Sequence, residues 1–348
     1  PAEYNGFKMC LGLSSIHGEQ IQAIHRVVKD RAFVEGRGQQ RREDPLPVYH
    51  DYVTGNISLD RALRVGVDAG NGTAGVVAVP ILKALGCEVH DIYCDMDGTF
   101  PNHEADPTVA ANMKDLISLV KNKKLDVGIG FDGDGDRIGV VDETGQLVYG
   151  DKLMIIYARE ILKRKPGSTF ISEVKCSQTM YDDIEKHGGR AIMWRTGHSL
   201  IKKKMKEEEA ELAGEMSGHM FFKDRYFGFD DATYAACRLL EILSATGQKI
   251  SELLSDVPRT TTTPEIRVDC PDEVKFGLVQ KATAFFRQSF NVIDIDGARV
   301  IFDDGWGLVR ASNTQPALVL RFEAMTEKRL IEIREIVEGG LEKLKEEL

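Results

Sequence analysis

The sequence has no run of about 20 consecutive apolar residues, which is the length that a membrane-spanning helix requires. It also has no excess of basic residues, since 45 Lys and Arg stand against 55 Asp and Glu and the formal net charge is −10. This balance disfavours a general nucleic-acid or membrane-surface partner. The six cysteines show no C-x-x-C spacing, which disfavours a disulfide framework or a zinc site and favours reduced thiols. These absences predict a cytoplasmic globular protein that binds neither nucleic acid nor membrane.

The most informative motif that is present is Asp132-Gly-Asp-Gly-Asp136, followed at once by Arg137. Three carboxylates this close repel one another unless a cation neutralises them, and Mg²⁺ prefers such hard oxygen ligands. The glycines allow the backbone to fold tightly around an ion. An arginine beside the acidic cluster suits a phosphate group, which it can bind through two parallel hydrogen bonds. The motif predicts Mg²⁺ bound by Asp132, Asp134 and Asp136, with phosphate close to Arg137.

A calcium-binding EF-hand loop is the nearest alternative for this motif, because Glu143 falls at the twelfth position of such a loop. The sixth position of an EF-hand loop requires glycine, and Arg137 occupies it here. The flanking segments 125–131 and 138–141 have the pattern of β-strands, whereas an EF-hand has helices on both sides. A solvated acidic turn without metal is a second alternative.

Strand-like and helix-like segments alternate along most of the chain, which predicts an α/β protein of several domains. A polar stretch at 35–44 and a threonine-rich stretch at 259–264 are typical of domain boundaries. The predicted strands are 63–67, 88–93, 125–131, 138–141, 147–149, 168–172, 190–193, 211–213, 265–269, 298–302, 307–311 and 318–324. The predicted helices are 15–35, 76–85, 108–121, 152–164, 177–187, 199–209, 272–288 and 326–347. The last segment, with two long helices among its strands, indicates a small α+β domain.

Two later loops are rich in groups that bind sugars or phosphates. Gly214-Glu-Met-Ser-Gly-His219 places Glu, Ser and His on a tight turn, which suits sugar hydroxyls. A Ser–His hydrolase pair is the rival interpretation, but the G-x-S-x-G elbow is absent, and a plain polar turn is a further alternative. Arg310-Ala-Ser-Asn-Thr-Gln-Pro316 offers a guanidinium, hydroxyls and backbone N–H groups, which is typical of a phosphate site. Arg321, on the strand that follows, is a candidate to join it.

Gly70-Asn-Gly-Thr-Ala-Gly75 is a G-x-G-x-x-G motif between a predicted strand and a predicted helix. Glu88 and Asp91 lie near the offset expected for a ribose-binding acid, so the motif alone favours a dehydrogenase. Hydride transfer gives no role to the metal, sugar and phosphate loops. We therefore interpret these glycines as a tight turn between a strand and a helix.

Together and in this order, the three loops resemble those of the α-D-phosphohexomutase superfamily, specifically its bacterial phosphomannomutase/phosphoglucomutase branch. The segments FPNHEADP at 100–107, VKCSQ at 174–178 and WRTGHS at 194–199 are also similar to family segments. GEMSGH and RASNT favour this branch over the phosphoglucosamine branch, in which GEQSGH-like and RPSGT loops are usual. The resemblance covers the whole chain.

The resemblance implies related three-layer α/β/α domains around one cleft and a C-terminal α+β domain. The implied limits are 1–43 for a remnant of the phosphoserine domain, 44–147 for the domain with the metal loop, 148–258 for the domain with the sugar loop, and 259–348 for the domain with the phosphate loop. The implied roles are catalysis for Lys8, Arg137, His198 and His219, substrate binding for Lys175, Gly197, Glu215, Ser217, Arg310, Ser312, Asn313, Thr314 and Arg321, and metal binding for Asp132, Asp134 and Asp136.

The resemblance also implies interconversion of hexose 1-phosphate and hexose 6-phosphate, of mannose or glucose, through a phosphoserine and a hexose 1,6-bisphosphate. A monomer or weak dimer is expected. In the family, the phosphoserine precedes a segment similar to Tyr4-Asn-Gly-Phe-Lys8, so we expect the serine just before Pro1. Most of the first domain is then expected to be missing from this chain, which is expected to be inactive alone. A non-catalytic sugar-phosphate-binding protein is the alternative.

Overall fold

The computed structural model describes residues 6–12 and 14–346, which form three β-sheets covered by helices and a small N-terminal hairpin. The N-terminal elements are β1 (Cys10–Leu11), β2 (Ser14–Ser15), α1 (Glu19–Lys29) and α2 (Leu46–Asn56). The helix predicted over 15–35 is shorter at both ends, because the chain takes positive φ at Gly18 and Arg31. No residue of α1 is buried.

The first sheet contains five strands in the order β4-β3-β5-β6-β7. Its elements are β3 (Arg64–Asp68), α3 (Gly75–Ala84), β4 (Glu88–Ile92), α4 (Lys114–Lys123), β5 (Val127–Phe131), β6 (Ile138–Val141) and β7 (Leu147–Val148). Strand β3 is parallel to β4 and β5, whereas β6 turns back antiparallel to β5. The acidic motif at 132–137 is therefore the turn between two buried strands, and the EF-hand alternative is wrong.

The second sheet has four strands in the order β11-β10-β8-β9. Its elements are α5 (Gly150–Arg164), β8 (Thr169–Glu173), α6 (Gln178–Lys186), β9 (Arg190–Trp194), α7 (His198–Glu207), β10 (Leu212–Gly214), β11 (Met220–Phe222), α8 (Ala232–Thr246) and α9 (Ile250–Leu253). Strands β8, β9 and β10 are parallel, so their carboxyl ends meet at one edge of the sheet. The loops that leave this edge carry Lys175, Gly197 and Glu215, and such an edge is the usual ligand site of an α/β sheet.

The third sheet is antiparallel and has the order β12-β17-β16-β15-β14, with β13 also paired to β17. Its elements are β12 (Thr261–Thr262), β13 (Ile266–Asp269), α10 (Asp272–Phe286), β14 (Asn291–Ile293), β15 (Ala298–Phe302), β16 (Gly305–Ala311), β17 (Ala317–Ala324) and α11 (Glu327–Glu346). One face of the sheet forms an apolar core with residues of α10 and α11. The predicted α/β class and the C-terminal α+β architecture are confirmed.

The apolar cores show how the sheets are joined. The first and second sheets contribute to one continuous core, in which α8 is almost entirely buried. A small cluster of Val174, Trp306 and Leu308 joins the second sheet to the third. Among the described residues, no helix has the length and apolar content needed to cross a bilayer.

Candidate active site

The turn between β5 and β6 gathers the three predicted metal ligands. Carboxylate oxygens of Asp132, Asp134 and Asp136 lie within 4.8 Å of one another. The turn closes because Asp132 Oδ1 accepts the backbone N–H groups of Asp136 and Arg137, each at 3.0 Å. Gly135 takes the left-handed conformation that this closure requires, with φ of 75°. An all-oxygen donor set of this kind fits a hard divalent cation such as Mg²⁺.

Two cationic side chains lie against these carboxylates. The Lys8 ammonium contacts Asp136 Oδ2 and lies 3.5 Å from Asp134 Oδ2. Arg137 Nε lies 2.9 Å from Asp132 Oδ2. The Asp136 Oδ1 atom is buried and accepts no hydrogen bond from the described residues. The loop therefore draws cationic side chains to its carboxylates, as a cation site would.

The turn between β10 and β11 orients Glu215 and His219. Glu215 Oε2 accepts a hydrogen bond from His219 Nδ1 at 2.7 Å, and Glu215 Oε1 accepts one from the backbone N–H of Gly197 at 2.9 Å. Burial opposes ionisation of this carboxyl, but the hydrogen bond and charge of His219, with the charge of Lys175, lower the pKa of Glu215 to about 2. Glu215 is therefore a carboxylate at neutral pH, and His219 presents its Nε2 3.3 Å from Asp136 Oδ1.

Ser217 lies in the same turn, with its hydroxyl 3.3 Å from both Glu215 Oε2 and His219 Nδ1. The His219 Nδ1 atom is engaged more closely by Glu215, so it is a donor there and no base for the serine. This geometry disfavours the Ser–His hydrolase interpretation. It leaves the Ser217 hydroxyl as a hydrogen-bonding group at the carboxyl edge of the second sheet.

His198 begins α7 directly after Gly197, whose φ of 129° excludes most other residues. Burial and the nearby charge of Lys202 lower the pKa of His198, so its ring is mainly neutral at pH 7. The centre of the ring lies 6.5 Å from that of His219. Its Nδ1 atom has no hydrogen-bond partner within the described chain.

Lys175 follows β8 and is almost fully buried. Its Nζ atom lies 3.1 Å from Glu265 Oε2 and 3.9 Å from Glu173 Oε1. Burial disfavours the ammonium form, but these carboxylates outweigh that effect and raise the pKa of Lys175. Lys175 therefore carries a positive charge close to Glu215.

The predicted phosphate loop joins β16 to β17. Ser312 Oγ accepts the backbone N–H groups of Thr314 at 3.3 Å and Gln315 at 3.1 Å, which holds the loop in a turn. Asn313 and Thr314 are exposed, and Arg310 is buried below them. A guanidinium, hydroxyls and an amide in one turn are the donors that phosphate binding requires.

Arg310 also connects this loop to the second sheet. Asp296 Oδ2 accepts a hydrogen bond from Arg310 Nε and another from the backbone N–H of Thr196, both at 3.0 Å. Thr196 directly precedes Gly197. Arg321 makes no hydrogen bond to the phosphate loop; it is buried, and its Nε and Nη1 atoms have no hydrogen-bond partner in the described residues.

Two acidic residues of the site were not predicted from the sequence. Asp230 has a carboxylate oxygen within 4.8 Å of ligand atoms of Asp136 and His219, and it is paired with Lys202 at 3.1 Å. Asp296 bridges two loops as described above. The only local signal for Asp230 was its position before Asp231, which caps the N-terminus of α8.

The glycine-rich turn at 70–75 packs against the metal loop. Thr73 donates its backbone N–H to Gly133 O at 3.0 Å. A Cβ atom at Gly72 would lie 2.6 Å from the same carbonyl oxygen, so glycine is required there. This close approach of two backbones supports the interpretation of the motif as a tight turn.

Three family models match the chain in sequence order. Phosphoglucomutase/phosphomannomutase alpha/beta/alpha domain II matches residues 47–145, domain III matches 149–261, and the C-terminal domain matches 265–339.

Curated relatives are similar along the whole chain. Phosphomannomutase/phosphoglucomutase of Pseudomonas putida is 47% identical over 350 residues, which cover 100% of this chain and 75% of the relative. Phosphoglucomutase of Neisseria meningitidis serogroup A is 46% identical over 341 residues, covering 96% and 74%. The crystal structure of a phosphoglucomutase/phosphomannomutase family protein from Burkholderia thailandensis matches with a TM-score of 0.89 at 42% identity, covering 95% of this chain and 71% of that one. The predicted superfamily is confirmed, and the chain belongs to the phosphoglucomutase/phosphomannomutase family.

Proposed function

We propose that the chain interconverts hexose 1-phosphate and hexose 6-phosphate, of mannose or glucose, by way of a phosphorylated serine and a hexose 1,6-bisphosphate. The observation that carries this proposal is the convergence of three loops. His219 Nε2 lies 3.3 Å from Asp136 of the metal loop, and Glu215 is bonded to Gly197. Asp296 then joins Thr196 to Arg310 of the phosphate loop. A chain of contacts therefore joins the proposed phosphoryl-transfer end to the proposed phosphate-holding end.

The metal loop is the proposed transfer end. Asp132, Asp134 and Asp136 would hold Mg²⁺, which when bound supplies positive charge that offsets the charge on a transferring phosphoryl group. Arg137 stays partly exposed beside these carboxylates, with its Nη1 3.8 Å from Asp106, and can contact the same phosphoryl oxygens. Lys8, now paired with Asp136, is a second cation for those oxygens.

The sugar turn and the phosphate loop are the proposed positioning elements. Glu215, ionised by its neighbours, and the Ser217 hydroxyl would bind sugar hydroxyls, with Lys175 and Gly197 beside them. The phosphate that does not react would be held by Arg310, Ser312, Asn313 and Thr314. Holding that phosphate places the other end of the sugar at the metal loop, and such orientation lowers the barrier to transfer. A mutase must bind the sugar in two opposite orientations, and these groups would have to hold it in both.

His219 is the proposed acceptor of the proton from the attacking sugar hydroxyl. Glu215 holds Nδ1 as a donor, so in the neutral ring Nε2 is the basic atom, and it lies 3.3 Å from Asp136 Oδ1 of the metal loop. A base oriented by a third group is the usual arrangement for such transfers. His198 lies close by with a lowered pKa and is the second candidate.

We further propose that residues 1–43 belong to the domain that carries the phosphorylated serine, and that the other domains span 44–147, 148–258 and 259–348. The exposed apolar side chains of α1 support this assignment, since Ile21, Ile24, Val27 and Val28 are each more than a third exposed. A helix with an unburied apolar stripe normally packs against a further layer. The six cysteines, which are all free thiols, support a cytoplasmic location.

The test is mutase activity of the full-length enzyme on mannose 1-phosphate and glucose 1-phosphate. Asp134→Asn removes one metal ligand from a side chain that is 66% exposed, so folding is not at risk. We expect it to lower kcat by about 100-fold, as loss of a transition-state charge partner does. Asp91→Asn is the matched control: it lies in the same sheet, outside the cluster, at the position of the rejected ribose-binding acid. Unchanged activity of Asp134→Asn would contradict the metal assignment, and binding of bisphosphate without turnover by the wild type would identify a binding protein.

A further inference from the structure

Arg299, on β15 of the third sheet, is a fully buried arginine that forms no ion pair in the described chain. Its hydrogen bonds go to the loop after β8 in the second sheet instead. Nη1 donates to Val174 O at 2.7 Å and to Cys176 O at 3.0 Å, and Nη2 donates to the Gln178 side chain at 3.3 Å. A buried charge without such partners is strongly unfavourable, so this guanidinium is specifically accommodated.

The planar shape of the guanidinium explains the choice of residue. One face of Arg299 stacks on Trp306, with 4.0 Å between its Cζ atom and the ring centre. Stacking fixes the plane of the group, so that the two N–H bonds of Nη1 reach both carbonyl oxygens while Nη2 reaches Gln178. A lysine ammonium has one nitrogen and no plane, so it cannot reproduce both the stack and the bonds from two nitrogens.

The two carbonyls that Arg299 binds belong to the residues immediately before and after Lys175. A side chain from another sheet therefore fixes the backbone on both sides of one proposed substrate-binding lysine. Glu323, also on the third sheet, accepts the backbone N–H of Gln178 at 3.0 Å and extends this attachment to the end of the loop. The Lys175 ammonium then lies 3.1 Å from Glu265 and close enough to lower the pKa of Glu215.

We propose that Arg299 is a positioning residue, which acts through the backbone of residues 174–176 to hold the Lys175 ammonium at its place beside Glu215. The inference rests on the proposed function, in which Lys175 contacts the hexose phosphate. It also gives the third sheet a second role in the reaction. Besides carrying the phosphate loop, the sheet sets the geometry of a group on the second sheet.

The test is a double-mutant cycle in the full-length enzyme, with Arg299→Lys and Lys175→Met made singly and together. If Arg299 acts through Lys175, Arg299→Lys lowers kcat/KM about tenfold in the presence of Lys175 and less than about twofold in the Lys175→Met background. Arg329→Lys is the matched control. Arg329, near the start of α11, also lies over an aromatic ring, but it is partly exposed and pairs with Asp304 and Glu332. It is expected to leave kcat/KM unchanged.

Each outcome of the cycle has a distinct meaning. Equal effects of Arg299→Lys in both backgrounds would overturn the inference, because a purely structural role does not depend on Lys175. Wild-type activity of Lys175→Met would instead refute the role of Lys175 in the proposed function. If Arg299→Lys does not fold, Arg299→Met takes its place in the cycle, since an apolar side chain leaves no unpaired buried charge beside Trp306.

Discussion

At the scale of single residues, the chemistry of the proposed active site depends on the ionisation of Glu215 and on which nitrogen of His219 carries a proton. Glu215 is ionised although it is buried, because His219 and the Gly197 N–H bind its two oxygens. The same hydrogen bond decides which nitrogen of His219 is basic. In the proposed function, Glu215 is therefore both a sugar-binding acceptor and the group that orients His219, the proposed proton acceptor.

Replacing Glu215 by Gln is expected to lower kcat/KM for hexose 1-phosphate by about 100-fold, because it removes the charge that orients His219 and balances Lys175. Steady-state kinetics of the full-length enzyme measures this effect. Glu211→Gln is the control and should retain activity. Glu211 directly precedes β10, at the end of that strand opposite to Glu215, and pairs with Lys165. Activity of Glu215→Gln within about threefold of wild type would contradict the assigned role.

The lowered pKa of Glu215 also predicts a pH dependence of stability. The folded pKa of about 2 lies below the usual 4.5, so the stabilisation is complete above pH 4.5 and is lost as the pH falls toward 2. The difference in free energy of unfolding between wild type and Glu215→Gln is expected to shrink by about 3 kcal/mol between pH 6 and pH 2. Urea denaturation at several pH values checks this, and a difference that does not change with pH would refute it.

Local motifs give the candidate residues of the site but not the contacts between them. Asp132, Glu215 and Arg310 stand in dense clusters of polar residues and glycine, which are visible in the sequence. The contact between Lys8 and Asp136 joins positions 128 residues apart. Asp230 and Asp296 are single acids in loops without a motif. Only the packing of whole sheets brings such residues together, so no local sequence pattern predicts them.

At the scale of elements, hydrophobic periodicity predicts some helices correctly and misses others. The helix predicted at 152–164 was found at 150–164, because it combines polar and apolar faces. Helix α8 was missed, since 12 of its 15 residues are buried and the apolar pattern has no polar side. The helix predicted at 108–121 begins only at Lys114, because Asp106 accepts hydrogen bonds from Thr108 and Asn112 and holds 106–112 in turns.

The buried helix α8 is attached to its neighbours through Asp224, which is fully buried between β11 and α8. Its carboxylate binds Arg238 of α8 at 2.8 Å and Arg164 of α5 at 2.7 Å. Burial opposes ionisation, but these arginines outweigh it and hold the pKa of Asp224 well below its usual range. Asp224 thus connects two helices that share no local sequence signal.

Asp224→Asn is expected to lower the free energy of unfolding by about 3–5 kcal/mol at pH 7, because it leaves the buried Arg238 charge with only its longer, 3.5 Å pair to Glu241. Asp256→Asn breaks a half-exposed pair with Arg159 and is expected to cost less than about 1 kcal/mol. Chemical denaturation of both variants measures the contrast. Equal losses for the two would show that Asp224 has no special role in joining these helices.

At the scale of the whole molecule, the third sheet has two buried faces of different chemistry. Along β17, Leu320 and Phe322 contribute to the apolar core with the helices, whereas Arg321 and Glu323 alternate with them. A strand with charges at every second position usually exposes them to water. Here both charged side chains are less than 5% exposed, because the other face of the sheet meets the second sheet. The sequence pattern predicts the strand but not the partner of its polar face.

Glu323 is the residue on that face that joins most segments. It accepts hydrogen bonds from the backbone of Gln178 at 3.0 Å, the Thr260 hydroxyl at 3.2 Å and the Trp306 ring N–H at 2.9 Å. These donors belong to the second sheet, to the connecting segment 259–264 and to the third sheet. Removing the acceptor leaves three donors unsatisfied at the junction, and buried unsatisfied groups are costly.

We therefore expect Glu323→Ala to loosen the junction between the second and third sheets without unfolding either one. Cleavage within 259–264 by a low concentration of protease should become about tenfold faster, which corresponds to a loss of about 1.4 kcal/mol in the opening equilibrium. Glu323→Gln keeps one acceptor oxygen and should give an intermediate rate, whereas Glu332→Ala on the outer face of α11 should cleave like the wild type. Indistinguishable rates for Glu323→Ala and wild type would show that apolar contacts such as Val174 on Trp306 hold the junction on their own. A faster rate would mean that the charged face of the third sheet contributes to its attachment to the second sheet.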